Sequence, residues 1–413
     1  MILTKLRLLF LSIPDTNTVE NNRDHLRNEF EELNNFAQSD ELKHYEELRD
    51  FVKSNEFKQR VRAIKAQKFK DTPEYNKLQR YNQLKKSGTI KKYLKGKLTD
   101  SDLNSSQQRE IQEYKELESF INSNEFRQVE NYMKQSSAKK YQQSEEYKQL
   151  QEFLHLDKSD KIKWYYKVKD HSKFDELKRW ELTFNDEFDN RSLDKNKWLT
   201  KYYWGEKILH SAYSMSNDKH LVTDGKNLQF ANSALEIVTK HEKAQGKAWH
   251  PKFGFHPKNF NYTSGVVNTG DIYKQKHGII EAKISFNSNT PITQGFWMVD
   301  NVILPQINIA KLNNNKLELG QISGSIERKT IHDHLFKMNG SKFVNQYFIY
   351  TLEWTPHQLV WKINDKVIVK QRNTLPEKEL SLLLTSGIFN GSEPVGLPSS
   401  MKVDWVRCYQ EAR

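Results

Sequence analysis

One stretch of this chain recurs, with eight of its thirteen residues identical. Tyr45-Glu-Glu-Leu48-Arg-Asp-Phe51-Val-Lys-Ser54-Asn55-Glu56-Phe57 returns as Tyr114-Lys-Glu-Leu117-Glu-Ser-Phe120-Ile-Asn-Ser123-Asn124-Glu125-Phe126. Its core, aromatic-x-x-Leu-x-x-aromatic, recurs at Tyr75-Leu78-Tyr81, Tyr147-Leu150-Phe153 and Phe174-Leu177-Trp180. Steps of three place such residues within an arc of about 120° on a helix, as one contiguous stripe. Ser54 and Ser123 have the chemistry of helix N-caps, with Phe three residues on to open the next stripe. The unit is therefore a helical hairpin that cannot bury its stripe alone, and stacking such units in series would cover it. This predicts a helical-repeat arm over residues 15–178. The scattered His25, His44, His155 and His171 show no metal-ligand spacing. A spacer is the expected role, and a docking surface for a protein partner is the alternative.

Beyond residue 178 the pattern changes. Eight of the nine Trp lie from Trp180 onward. Short β-branched and aromatic segments alternate with turn residues, as in Ala234–Thr239, Gly278–Phe286, Phe348–Trp354, Gln358–Ile363, Lys366–Val369 and Met401–Tyr409. Asn364-Asp365 reads as a hairpin turn between two of them. Many such segments in series predict an antiparallel β-sandwich over residues 179–413. The fold class is thus multidomain, a helical array followed by a β-jelly roll.

The formal net charge of +12 raises the question of nucleic acid. It divides evenly on either side of Trp180, with acids interspersed, and no nucleic-acid motif accompanies it, so no such partner is expected. The densest basic stretch, Lys58 to Lys97, reads as solvated helix faces, with a polyanion-binding stripe as the alternative. A single cysteine, Cys408, excludes an intrachain disulfide and a cysteine-based zinc cluster. The apolar stretch Ile2–Pro14 is interrupted by Lys5 and Arg7 and is followed at once by Asp15 and Asn17. It lacks the form of a signal peptide, and no run is long enough to span a membrane. A cytoplasmic protein is the expectation.

The sandwich segment resembles glycoside hydrolase family 16, the laminarinase and lichenase group with a concanavalin-like jelly roll. The landmarks run in that family's order: Leu182–Phe188 with Leu193–Trp198, Tyr262–Gly265, Gly278–Lys283, Gly295-Phe-Trp-Met298, Tyr350–Pro356 and Val403–Tyr409. The resemblance implies carbohydrate chemistry on a strand of pattern Glu-x-Asp-x-x-Glu, usually after a Pro. Residues i and i+2 of a strand face one way, and a one-residue bulge brings i+5 alongside them. The nucleophile and acid/base of a retaining glycosidase then stand about 5 to 5.5 Å apart.

Here the matching stretch is Pro305-Gln306-Ile307-Asn308-Ile309-Ala310-Lys311. Gln306 takes the nucleophile's place, Asn308 the assisting Asp's and Lys311 the acid/base's. An amide does not ionise at neutral pH and forms no glycosyl ester, so no catalytic residue is assigned. The family's Trp-Pro pair corresponds to Thr293 and Gln294, and its His to Phe348 or Ile349. The amides and the ammonium suit sugar hydroxyls, and Trp204, Trp249 and Trp297 are candidates to stack on sugar rings. These residues predict non-catalytic recognition of a β-glucan-like polysaccharide or oligosaccharide. The alternatives are a working hydrolase with carboxyls relocated to Asp300, Glu318 or Glu327, an abandoned cleft filled by polar side chains, and a protein-interaction scaffold. No cofactor is expected, although the resemblance allows a structural calcium at Asp404.

Overall fold

The computed structural model describes residues 12–98, 103–203, 209–250, 252–287, 291–300, 303–325, 328–389 and 396–412. They divide into two compact units, one of residues 29–172 and one joining residues up to 28 with those from 173 onward.

The first unit is helical. After the C-terminal part of α1 (Thr16–Ala37) come α2 (Asp40–Lys53), α3 (Asn55–Ala66), α4 (Pro73–Lys85), α5 (Gly88–Leu94), α6 (Ser105–Asn122), α7 (Asn124–Lys134), α8 (Ser137–Gln142), α9 (Glu145–Leu156) and α10 (Asp160–Val168). Ser54 ends α2 and caps α3, its Oγ accepting from Phe57 N at 3.0 Å. Ser123 does the same between α6 and α7, accepting from Phe126 N at 3.1 Å. An extended Ser breaks the helix while its hydroxyl satisfies one orphan donor of the next. The flanking rings then meet edge to face, Phe51 with Phe57 at 5.4 Å and Phe120 with Phe126 at 5.8 Å.

The stripes are not buried by stacking in series. The chain doubles back, with α2 on α9, α3 on α8 and α4 on α6. Tyr45 of the first copy stacks on Phe153 of the fourth, centroids 5.7 Å apart. Tyr81 of the second stacks on Tyr114 of the third at 5.2 Å. In both pairs the first aromatic of one copy meets the last of the other. The fifth copy is not a helical unit. Its helix, α11 (Asp175–Arg179), has five residues, and Trp180 opens a strand whose backbone pairs with Glu411. Ladder pairing there overrides the helical spacing.

The second unit is a sandwich, and it takes the first half of α1 as well. Val19 packs on Ile349 and Trp405. Arg23 bonds to Glu281 at 3.1 Å and to Asp365, and Asn364 Nδ2 donates to the Pro14 carbonyl at 2.8 Å. The arm expected from residue 15 therefore starts at 29, because these apolar and charged partners belong to the sandwich.

Among the described residues seventeen strands form two sheets. The eleven-stranded sheet runs β15 (Lys366–Arg372), β14 (Gln358–Ile363), β13 (Phe348–Trp354), β8 (Gly278–Ser285), β17 (Ser399–Glu411), β5 (Ala234–His250), β6 (Gly254–Ser264), β3 (His220–Val222). Beside that path β1 (Trp180–Asp186) pairs with β17, while β2 (Ser214–Met215) and β4 (Leu228–Ala231) pair with β5. The six-stranded sheet runs β12 (Thr330–Asn339), β11 (Lys316–Ser325), β10 (Gln306–Asn313), β9 (Thr293–Val299), β16 (Ser381–Gly387), β7 (Val266–Asn268). Alternate residues of both sheets meet in one core, where Ile280, Ala282, Ile284, Leu352 and Val403 pack with Phe296, Met298, Ile307, Leu382 and Leu384. The other face of the six-stranded sheet carries the candidate site.

Candidate functional site

Strand β10 is built to turn three polar side chains one way. Ile307, Ile309, Ala310 and Leu312 all enter the core, two of them consecutive in sequence. That doubling marks a bulge, and the register with β11 and with β9 slips just after Asn308. A bulge frees a backbone carbonyl from the ladder, and a buried carbonyl needs a donor. Trp361, fully buried on β14, supplies it, with Nε1 2.8 Å from the Asn308 carbonyl oxygen. Gln306, Asn308 and Lys311 are left together on the outer face.

Each is flanked across the strands. Gln306 lies between Val299 and Ile322, Asn308 between Trp297 and Gly320, and Lys311 between Gly295 and Glu318. Gly320 has φ +148°, and a Cβ there would stand 2.3 Å from the His334 carbonyl oxygen, so only Gly fits opposite Asn308. Gln306 Nε2 donates to Asn308 Oδ1 at 2.5 Å, and the two residues are 7% and 1% exposed.

Lys311 is half-buried, with its Nζ 5.7 Å from the centre of the Trp297 ring. Desolvation pushes its pKa below the ordinary lysine range, partly opposed by the charge of Glu318. Trp297 is fixed in turn by a bond from its Nε1 to Thr385 Oγ1 at 3.0 Å. On the β9 side a second apolar cluster rises from this face. Tyr202, Tyr213, Val222, Val266, Val299 and Leu383 are its buried members, and Trp249 and Trp297 are packed against it half-buried. The structure thus brings Trp297 and Trp249 to one aromatic wall beside β10. Trp204 lies outside the described residues.

The candidate carboxyls are otherwise engaged. Glu318 pairs with Lys337 at 3.2 Å, and Asp300 with Lys378 at 2.6 Å. Glu327 lies outside the described residues. Thr293 donates to Asn313 Oδ1 across the strands, and the Gln294 side-chain oxygen accepts from Asn287 N, so both side chains are engaged at the end of β9. Ile349 lies beneath α1 and Phe348 packs on the inter-sheet core, both on the eleven-stranded sheet. Lys337, Thr385 and Trp361 were missed from sequence. The alternation of β12, β16 and β14 gives their facing, but nothing in one sequence gives the cross-strand register.

At Asp404 the donor set does not fit calcium. The Lys283 ammonium stands 3.0 Å from its carboxylate and 2.8 Å from Glu20, so a side-chain cation occupies the acidic spot. No group of three or more metal-ligating residues is present among the described residues. No helix among them is long and apolar enough to cross a membrane.

A two-sheet antiparallel sandwich with one bulged strand in its smaller sheet is a jelly roll. The family model for glycosyl hydrolases family 16 matches residues 212–407, which lie within the sandwich. Glucan endo-1,3-beta-glucosidase A1 of Niallia circulans is 23% identical over 266 residues, which is 56% of this chain and 38% of that protein. The chain therefore spans well under half the length of this relative. Among solved structures, the catalytic domain of an endo-1,3-beta-glucanase (laminarinase) from Thermotoga petrophila RKU-1 superposes with a TM-score of 0.46 and 17% identity, over 57% of this chain and 100% of that one. The kappa-carrageenase from Pseudoalteromonas carrageenovora, in complex with an oligotetrasaccharide, gives 0.46 and 19%, over 56% and 96%.

Proposed function

We propose that the sandwich recognises a β-glucan-like or related glycan without cleaving it. One observation carries this reading: the bulged strand, inside the segment that the family 16 model matches, presents Gln306, Asn308 and Lys311 on its outer face. A retaining glycosidase needs an ionised carboxylate to form the glycosyl ester and a second carboxyl to pass the proton. Two neutral amides supply no nucleophile, and the Lys311 ammonium alone cannot replace one, while their donors and acceptors match sugar hydroxyls. The half-buried Trp249 and Trp297 beside them supply apolar surface for a ring face.

Glu318 favours a second reading, hydrolysis by a relocated acid, since it is a carboxylate directly across from Lys311. Its ion pair with Lys337 and the absence of an acid among the direct cross-strand partners of Gln306 and Asn308 support the first reading. Reducing-sugar release from a panel of glucans by the unaltered chain and by Glu318→Gln separates them. Binding with no release supports recognition. Release that disappears with Glu318→Gln establishes the hydrolase.

A further inference from the structure

The ammonium of Lys311 has no counter-charge of its own. Glu318, its cross-strand neighbour, is committed to Lys337 at 3.2 Å. No ion pair or hydrogen bond of Lys311 occurs among the described residues; its ammonium faces the Trp297 ring, and Glu318 acts on it only through space. The row Lys311, Glu318, Lys337 sums to one positive charge, and the neighbouring amides of Gln306 and Asn308 are neutral and partly satisfied by each other. A charge held half out of water is costly unless paired. Sugar hydroxyls would meet its hydrogen bonds and leave its charge uncompensated.

We propose that this face takes a glycan bearing an anionic substituent, a uronate carboxylate or a sulfate ester, with Lys311 as its counter-ion and Trp297 against the ring that carries it. The inference rests on the glycan-recognition reading above and adds the charge of the ligand. Gly295 contributes directly. A Cβ at that position would stand 3.3 Å from Lys311 Cγ and 3.4 Å from Trp297 Cδ1, so Gly leaves room for the lysine stem to lie along the indole. Thr385 is a positioning residue, since its hydroxyl fixes the indole that the ammonium faces.

The test is calorimetric titration of the full chain with three oligosaccharides of matched length: a neutral β-1,3-glucan, an oligouronate and a sulfated galactan. An acidic ligand paired to an ammonium is expected to bind about tenfold or more tighter than the neutral one. The preferred acid distinguishes carboxylate from sulfate. Lys311→Met should bring the acidic ligand down to the neutral level, whereas Lys311→Arg should keep the preference. An unchanged or raised melting temperature shows that the Met variant is folded. Equal binding of neutral and acidic ligands, or a preference that survives Lys311→Met, overturns this inference and leaves glycan recognition standing. Failure to bind all three overturns both.

Discussion

Gln306 and Asn308 are hydrogen-bonded to each other: the side-chain amide of the first donates to the side-chain oxygen of the second at 2.5 Å along one strand face. The pair is neutral and almost sealed from water. Two carboxylates in the same places would share a desolvated site, which raises at least one pKa steeply. The amides therefore remove a source of instability along with the catalytic groups.

Gln306→Glu with Asn308→Asp is predicted to cost about 2 kcal/mol more than the two single changes summed, at neutral pH. A raised carboxyl pKa is a penalty present above that pKa and relieved as pH falls through it. Urea denaturation at neutral and at mildly acid pH reads the sign directly. The deficit of the double variant should shrink on acidification.

Lys311 supplies the opposite case. Its pKa is lowered by burial, so the folded state disfavours its charge. The penalty is fully present below the depressed folded pKa and fades as pH rises toward the ordinary lysine value of about 10.4. Lys311→Met should raise the melting temperature at neutral pH, and the gain over the unaltered chain should narrow in alkaline buffer. Calorimetric scans across that window check it.

Arg23 on α1 is the main partner of Glu281, whose side chain is 4% exposed and also accepts from Thr351. Arg23→Ala leaves a buried carboxylate short of its counter-ion and should cost about 2 kcal/mol, reduced from a fully buried pair because Arg23 is itself partly exposed. Arg23→Met with Glu281→Met should recover most of that loss. Chemical denaturation followed by Trp fluorescence reports it, since eight of the nine Trp lie from residue 180 onward.

Trp361 is predicted to hold the bulge that lets Lys311 join Gln306 and Asn308. Trp361→Phe keeps an apolar ring and removes the donor to the Asn308 carbonyl. The combined cavity and unsatisfied carbonyl should cost about 2–4 kcal/mol. Amide exchange should quicken first at residues 308–311. Uniform quickening across both sheets would mean that Trp361 serves only packing.

Much of this architecture could be read from residue patterns. Alternation in β8, β13 and β17 places their core faces without a structure, and Ser54 and Ser123 announce their caps. The path of the helical arm could not be read, because aromatic-x-x-Leu-x-x-aromatic states which stripe is buried but not against which partner. Tyr45 meets Phe153 and not the copy next in sequence. The same spacing at Phe174, Leu177 and Trp180 misled, since Trp180 finds a strand partner in Glu411. At the site, the facing of Gln306, Asn308 and Lys311 follows from period two plus a bulge. The Lys337 pair that engages Glu318 and the Thr385 bond that fixes Trp297 depend on register between distant strands.

The most direct measurement is to incubate the unaltered protein with an oligosaccharide that it binds and to weigh the sugar afterwards by mass spectrometry. Recovery of the ligand at its full length after prolonged incubation is the predicted result. Shortened products that form in proportion to protein concentration would show that a catalytic acid pair exists and would contradict recognition without cleavage.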